Sequence, residues 1–363
     1  MSQSKRRLEA IPLKWETLSD AQRDAVTAAS GWLVDAINDL DLIPKRQKSR
    51  SSGPVLDRNR RSQLGFIDGD RGTGKSSVLL TLMDLTSLDT LDWAPPDGLV
   101  KTLRDQRRRV VWLEPLDMEP LSRGANLFAA ILARIAQVLD TRLGDAPPPM
   151  AAAFADLDSY ADVASRLQQL QNDVAVVWDR LDGKDPSGDP QTRALGVVQA
   201  EKAGLELTRR IGEVLDGIAG ILSSHQVDNP LFVLPVDDFD LAPAHCLELL
   251  RLIRMVTTPR LFFLVAGNTR IAESVMKLRS EGELSRLAGG KPSNAAEVQN
   301  HALEIAANNM RKLIPPGQRA RLAVLRLPEA LDLGKKSGEV TLRESLEAVS
   351  FEAIPFKVAT LFL

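Results

Sequence analysis

Cysteine is nearly missing from this chain. Cys246 is the only one in 363 residues, which excludes an internal disulfide framework and any cysteine-rich metal site. Histidine is scarce as well: His225, His245 and His301 are scattered, with no H-x-x-x-H spacing. Aromatic residues make up 4%, too few to line a stacking platform for single-stranded nucleic acid. Neither sign of charge dominates, since 46 Lys+Arg stand against 48 Asp+Glu, so nothing predicts wholesale binding to nucleic acid or a membrane surface. No apolar run approaches the ~20 residues of a membrane span. The start, "MSQSKRRLEAIPLKWE", is basic but lacks the apolar block of a signal peptide. These absences predict a reducing, cytoplasmic setting with no membrane partner.

What is present is a core. Hydrophobic residues form 44% of the chain, and the length suits two domains or one with large insertions. Residues 19–40 read as a helix capped by Ser19, with Val26, Leu33, Ile37 and Leu40 on its apolar face. A basic loop is expected over 44–62, where Lys45, Arg46, Lys48, Arg50, Arg58, Arg60 and Arg61 face only Asp57, seven against one, a net of plus six. A strand over 64–67 and a helix over 75–85 follow. "RRRVVWLEPLDM" (107–118) reads as a second strand, "PLFVLPVDDFD" (230–240) as a third and "RLFFLVAGN" (260–268) as a fourth. Helices are expected over 124–139, 151–182, 191–224, 243–256, 270–285 and 294–313, with loops at "GDAPPPM" and "GKDPSGDP". Strands that are continuous apolar runs, alternating with helices, predict a parallel sheet covered on both faces. The final "FEAIPFKVATLFL" is rich in strand formers and reads as the cut edge of a longer protein.

The stretch 69–76, Gly69-Asp70-Arg71-Gly72-Thr73-Gly74-Lys75-Ser76, matches G-x-x-x-x-G-K-[ST] at every fixed position. Glycines let a backbone wrap a phosphate with several N–H donors. Lys75 adds charge for the β and γ phosphates, the Ser76 hydroxyl suits Mg²⁺, and Ser77 continues the first helical turn. The helix starting there adds the positive end of its dipole. A glycine-rich turn in front of a helix has the same composition, but the preceding apolar strand supplies the context that phosphate binding requires.

Hydrolysis would need an acidic residue on a neighbouring strand tip, and "LFVLPVDDFD" offers two. Asp237 is expected to hold Mg²⁺ through water and Asp238 to polarise the attacking water. An acidic turn after a strand is the plainer reading. "LFFLVAGN" ends in Asn268, which suits orienting the water and equally suits capping the next helix. No N-K-x-D follows the acidic strand, so nothing specifies guanine, and no Ser-His-Asp or zinc pattern is present. "LSRLAGG" (284–290) lies after the acidic strand, the wrong side for a transporter signature. The clusters at 44–62 and "RDQRRR" (104–109) suit phosphate backbones, but read more simply as solvated segments.

Gly69–Ser76, "VDDFD" and "LVAGN" resemble the Walker A, Walker B and sensor 1 motifs of the additional-strand P-loop ATPases, the AAA+ family with its STAND and KAP-like relatives. The resemblance covers about residues 60–320. It implies an α/β P-loop NTPase with a five-stranded parallel sheet and a helical lid, using ATP and Mg²⁺. It also implies assembly as a homo-oligomer, a ring or similar, acting on an effector protein. Organised this way, 1–62 is an N-terminal helix and basic loop, 63–290 the ATPase core with a helical insertion at about 145–228, and 291–363 the lid and the start of a further region. About 160 residues separate Lys75 from Asp237, longer than a minimal module and more like KAP-type and bacterial defence ATPases. "VVWLEPLDMEPLSRGANLFAAILARI" and "NNMRKLIPPGQRARL" are similar to the ATPase component of the RADAR anti-phage system. Many hydrolysing relatives carry Glu where Asp238 stands. The family also asks for an arginine that senses the γ-phosphate: Arg286 has the spacing of an arginine finger, with Arg311 and Arg319 as alternatives from the lid. Glu114, at the tip of "VVWLE", faces the same edge or is merely solvated.

Overall fold

Ser19 opens the first helix through a capping box: its hydroxyl accepts the Gln22 N–H at 3.3 Å, while Gln22 Oε1 accepts the Ser19 N–H at 3.0 Å. The structure is a computed structural model and describes residues 10–48, 63–87, 98–121, 125–144, 160–174, 190–224, 227–256, 258–287 and 295–323. Its helices are α1 (Asp20–Lys48), α2 (Lys75–Thr86), α3 (Leu99–Asp105), α4 (Leu127–Gly144), α5 (160–174), α6 (Pro190–Ser224), α7 (Pro243–Met255), α8 (Thr269–Leu287) and α9 (Ala295–Leu313). The strands are β1 (Leu64–Asp68), β2 (Val110–Trp112), β3 (Leu116–Asp117), β4 (Leu231–Asp237), β5 (Leu261–Gly267) and β6 (Arg319–Arg321).

Among the described residues the sheet has six strands in the order β2-β4-β5-β1-β6, and β3 runs on from β2 along the same edge of β4. Every pairing is parallel. Strand β5 therefore lies between β1 and β4. Side chains alternate across the sheet: Phe66, Leu234, Val236, Phe263 and Val265 enter one core, and Ile67, Val233, Phe262, Leu264 and Ala266 the other. Helices α1, α2 and α3 cover the second core, while α4 to α9 contribute to the first. Phe66 meets Phe239 edge to face with ring centroids 5.6 Å apart. Burying an aromatic of this kind contributes about 1.5–3 kcal/mol.

The described parts of the expected insertion belong to the main core. Val163, Leu167 and Leu170 of α5 and Leu207, Ile211, Val214 and Ile218 of α6 recur at helical spacing and are buried with the strands. A Cβ at Gly217 would lie 2.5 Å from Val163 Cγ2, so the glycine sets how closely α6 approaches α5. Arg210 ties the pair through Asp173 of α5 and Glu206 of its own helix.

Several elements differ from expectation. Residues 44–48 are helical, since α1 runs through Pro44 to Lys48. Proline forfeits one intrahelical bond, yet here the helix continues past it. The single strand expected over 107–118 is a 3-10 turn (Arg107–Arg109), then β2, then β3. Pro115 has no N–H to give the ladder at that break. Five strands were implied, and the short β3 makes a sixth. Helix α4 runs to Gly144, past the expected end at 139. The basic segment 49–62, the loops 145–150 and 183–189, His225 and the apolar end 351–363 lie outside the described residues.

Candidate functional site at the carboxyl edge of the sheet

Strand β1 ends at Asp68, and the chain turns through Gly69–Gly74 into α2. Gly72 and Gly74 take φ of 82° and 84°, the left-handed region where a side chain costs about 1–2 kcal/mol. A Cβ at Gly72 would meet nothing within 4 Å, so the mouth of the loop is open, whereas one at Gly74 would sit 2.3 Å from Gln22 Nε2. The Gly69 N–H donates to the Gly267 carbonyl at 3.0 Å, pinning the start of the loop to the end of β5. Thr73 Oγ1 donates to the Asp70 carbonyl at 2.9 Å, closing the loop on itself. Lys75 is buried, and its Nζ donates to the carbonyls of Gly69 at 3.0 Å and Asp70 at 3.1 Å. The ammonium is thus held across the loop by main-chain acceptors. Ser76 and Ser77 follow on the first turn of α2, both half-buried, while Asp70 and Arg71 are exposed.

Two strands away, β4 ends at Asp237. Its carboxylate accepts the Asp238 N–H at 3.0 Å and feels the nearby Ser76 hydroxyl. Burial raises the Asp237 pKa, opposed by the Ser76 hydroxyl, the Asp238 N–H and Lys75, and Asp117 adds to the rise. Asp238 has φ 51° and ψ 36°, an uncommon conformation for a residue other than glycine. Burial, then the charges of Asp237, Asp117 and Asp240, raise its pKa, and Lys75 lowers it. Sequence reasoning did not single out Asp117. It lies at the end of β3, in register with Asp237, and the signal was available: "LD" closes that apolar run as "VD" closes β4.

Asn268 stands at the end of β5. Its Nδ2 donates to Asp70 Oδ1 at 2.8 Å, its Oδ1 accepts the Arg270 N–H at 2.9 Å, and its own N–H donates to Asp240 Oδ1 at 3.1 Å. Thr269 donates from its N–H and hydroxyl to Asp68, at 2.9 and 2.8 Å. The tips of β1, β4 and β5 are therefore cross-linked by side chains from Asp68, Asp70, Asp240 and Asn268. Asp68, Asp240 and Gln22 escaped the sequence reading because their partners are distant in the chain.

Arg286 is not brought to this edge within the chain. It is exposed near the far end of α8, about 25 Å along the axis from Thr269 at ~1.5 Å per residue, and lies near Glu283. Arg319 donates to the Ile314 and Met310 carbonyls at 2.7 and 2.9 Å, which caps the end of α9. Burial lowers its pKa against the opposing pull of Asp68 and Glu273. Arg311 and Glu114 are exposed.

The Ser76 hydroxyl and Asp237 carboxylate are hard oxygen donors close enough to influence one another, the chemistry Mg²⁺ prefers. Among the described residues no group of three or more His, Cys, Asp or Glu is arranged to hold a metal. A metal at Ser76 and Asp237 would complete its shell with phosphate oxygens and water. No family model matches the chain, and no curated protein sequence matches it either.

Proposed function

We propose that this protein is an ATP-binding and ATP-hydrolysing P-loop module of the AAA+/STAND type, whose nucleotide state controls assembly of like chains. The observation that carries the reading is that the glycine loop and the first turn of α2 place Lys75 and Ser76 within electrostatic reach of Asp237, on a strand tip one strand removed. A glycine-rich turn alone has no need of that carboxylate, and an acidic turn alone has no need of the loop.

In this reading the N–H groups of Gly72–Ser77 and the α2 dipole bind the phosphates. Lys75 lies within the loop, ready to exchange its two carbonyl acceptors for phosphate oxygens. Ser76 and Asp237 would hold Mg²⁺, which supplies charge neutralisation at the phosphates. Asp238 and Asn268 orient the attacking water, and Asn268 is held against the loop by Asp70. Arg286 is too far from its own chain's loop to act there, which favours an arginine finger offered to a neighbouring copy. An effector protein downstream of assembly, in anti-phage defence, is the setting suggested by the sequence resemblance.

ATP binding measured by calorimetry, with phosphate release, tests the reading. Wild-type protein should bind ATP, Lys75→Ala should lose binding, and Asp238→Ala should bind without turnover. Undiminished binding by Lys75→Ala would overturn it. The short carboxylate at 238 favours one alternative, a scaffold that binds ATP and assembles with negligible turnover. Binding and an ATP-dependent rise in particle mass, without phosphate release, would select it.

A further inference from the structure

We propose that Asp117 is a second catalytic carboxylate of this site, taking the proton from the attacking water. The inference rests on the ATPase reading above. Asp117 and Asp237 are register partners on adjacent parallel strands. Register partners share a face of the sheet, so Asp117 stands on the same face as Asp237, the one that α2 covers. The neighbouring pair, Leu116 and Val236, faces the opposite core, as the alternation requires.

The local chain fixes this placement. After β2, Leu113 still donates to the Val233 carbonyl at 2.9 Å; the ladder then breaks at Pro115 and resumes for two residues. The Met118 N–H donates to the Asp237 carbonyl at 3.1 Å, so the end of β3 is bound to the end of β4. Asp117 Oδ1 accepts the Glu119 N–H at 2.9 Å, which orients the carboxylate and leaves Oδ2 able to meet water. Asp117 is exposed, so water reaches it. Asp238, by contrast, is one residue past its strand in a left-handed conformation, with a side chain a methylene shorter than Glu. A carboxylate on the adjacent strand adds a second acceptor beside Asp237 and Asp238, and its charge is felt by both.

The step balances as follows. The water oxygen forms a bond to the γ-phosphorus, and the bond from that phosphorus to the β,γ-bridging oxygen breaks. The bridging oxygen keeps the electron pair and leaves as ADP. The water proton passes to Asp117 Oδ2 and returns to solvent or to the released phosphate. No redox partner is involved.

Wild type, Asp117→Asn, Asp117→Glu and Asp238→Asn are compared for ATP binding, for kcat and KM of phosphate release, and for melting temperature. Asp117→Asn should bind ATP and melt as wild type while kcat falls about 100-fold with KM little changed. Asp117→Glu should recover part of the rate. A wild-type kcat in Asp117→Asn overturns the role of Asp117 and leaves the ATPase reading intact. Wild-type protein that releases no phosphate overturns this proposal too, and failure to bind ATP overturns both. A melting temperature that falls with kcat, and no recovery with Glu, assigns Asp117 a structural part and also overturns the proposal.

Discussion

The side-chain amide of Asn268 donates to Asp70 Oδ1 at 2.8 Å, joining the end of β5 to the glycine loop after β1. The same side chain accepts the Arg270 N–H at 2.9 Å and so caps α8. Two duties therefore meet in one residue, and two substitutions separate them. Asn268→Ala should lose the cap, about 1 kcal/mol, and melt roughly 2–4 °C lower. Asn268→Ser keeps an oxygen for the Arg270 N–H and should melt near wild type. Both should reduce phosphate release by about tenfold or more if the amide orients water. Full turnover in Asn268→Ser would confine the residue to capping.

Gly74→Ala should disable the loop. The new methyl meets Gln22 Nε2 at 2.3 Å, and φ of 84° costs about 1–2 kcal/mol besides. In a Gln22→Ala background, which gives up the capping partner of Ser19, Gly74→Ala should relieve the contact and not the torsion, so it should cost less there than in wild type but not nothing. Chemical denaturation of the four proteins measures this; no cost of Gly74→Ala in the Gln22→Ala background would refute a torsional cost.

Cys246 should be inert to alkylating reagents at pH 8 in the folded protein. Burial pushes its thiol from the ordinary 9.0 up to about 12, with Asp240 adding to the rise, and its Sγ donates to the Phe239 carbonyl. Because the folded state holds the proton more tightly, the stabilisation is present below pH 9 and is lost as pH rises from 9 towards 12. Cys246→Ala should flatten that part of the stability curve, and the alkylation rate should track unfolding by denaturant. Rapid labelling of native protein would contradict the burial.

Much of this architecture is legible in the residues themselves. Strands β4 and β5 are buried on both faces, so they appear as unbroken apolar runs, and their polar ends Asp237 and Asn268 mark one edge. Strand β6 is not legible, because "RAR" at the margin of a sheet carries no apolar signature. Asp117 was hidden by the break at Pro115, which makes one apparent strand into two. Pro44 marks the opposite case: a basic segment read as a loop from 44 onward begins inside a helix that runs to Lys48. Motif residues announce chemistry, while the groups that hold them in place, Asp68, Asp240 and Gln22, depend on contacts between distant parts of the chain.

Phe66→Ala should cost about 3–5 kcal/mol. The ring is fully buried and meets Phe239, the residue after Asp238, edge to face. Phe66→Leu, closer in volume, should cost less. If the ring also supports the acidic turn, Leu at this position should lower kcat more than its melting temperature suggests. A kcat unchanged in Phe66→Leu would make the contact one of stability alone.

The interposed strand β5 works as a spacer. Two inter-strand intervals, about 9.6 Å, separate the strand that launches the loop from the strand that carries Asp237. On one face Phe66 reaches across to Phe239, and on the other α2 packs over β5 and β4. The spacer has little slack, since a Cβ at Gly267 would lie 2.9 Å from Phe239 Cβ. The width of one strand therefore sets how far the loop's cation and hydroxyl stand from the acidic tip that they act on.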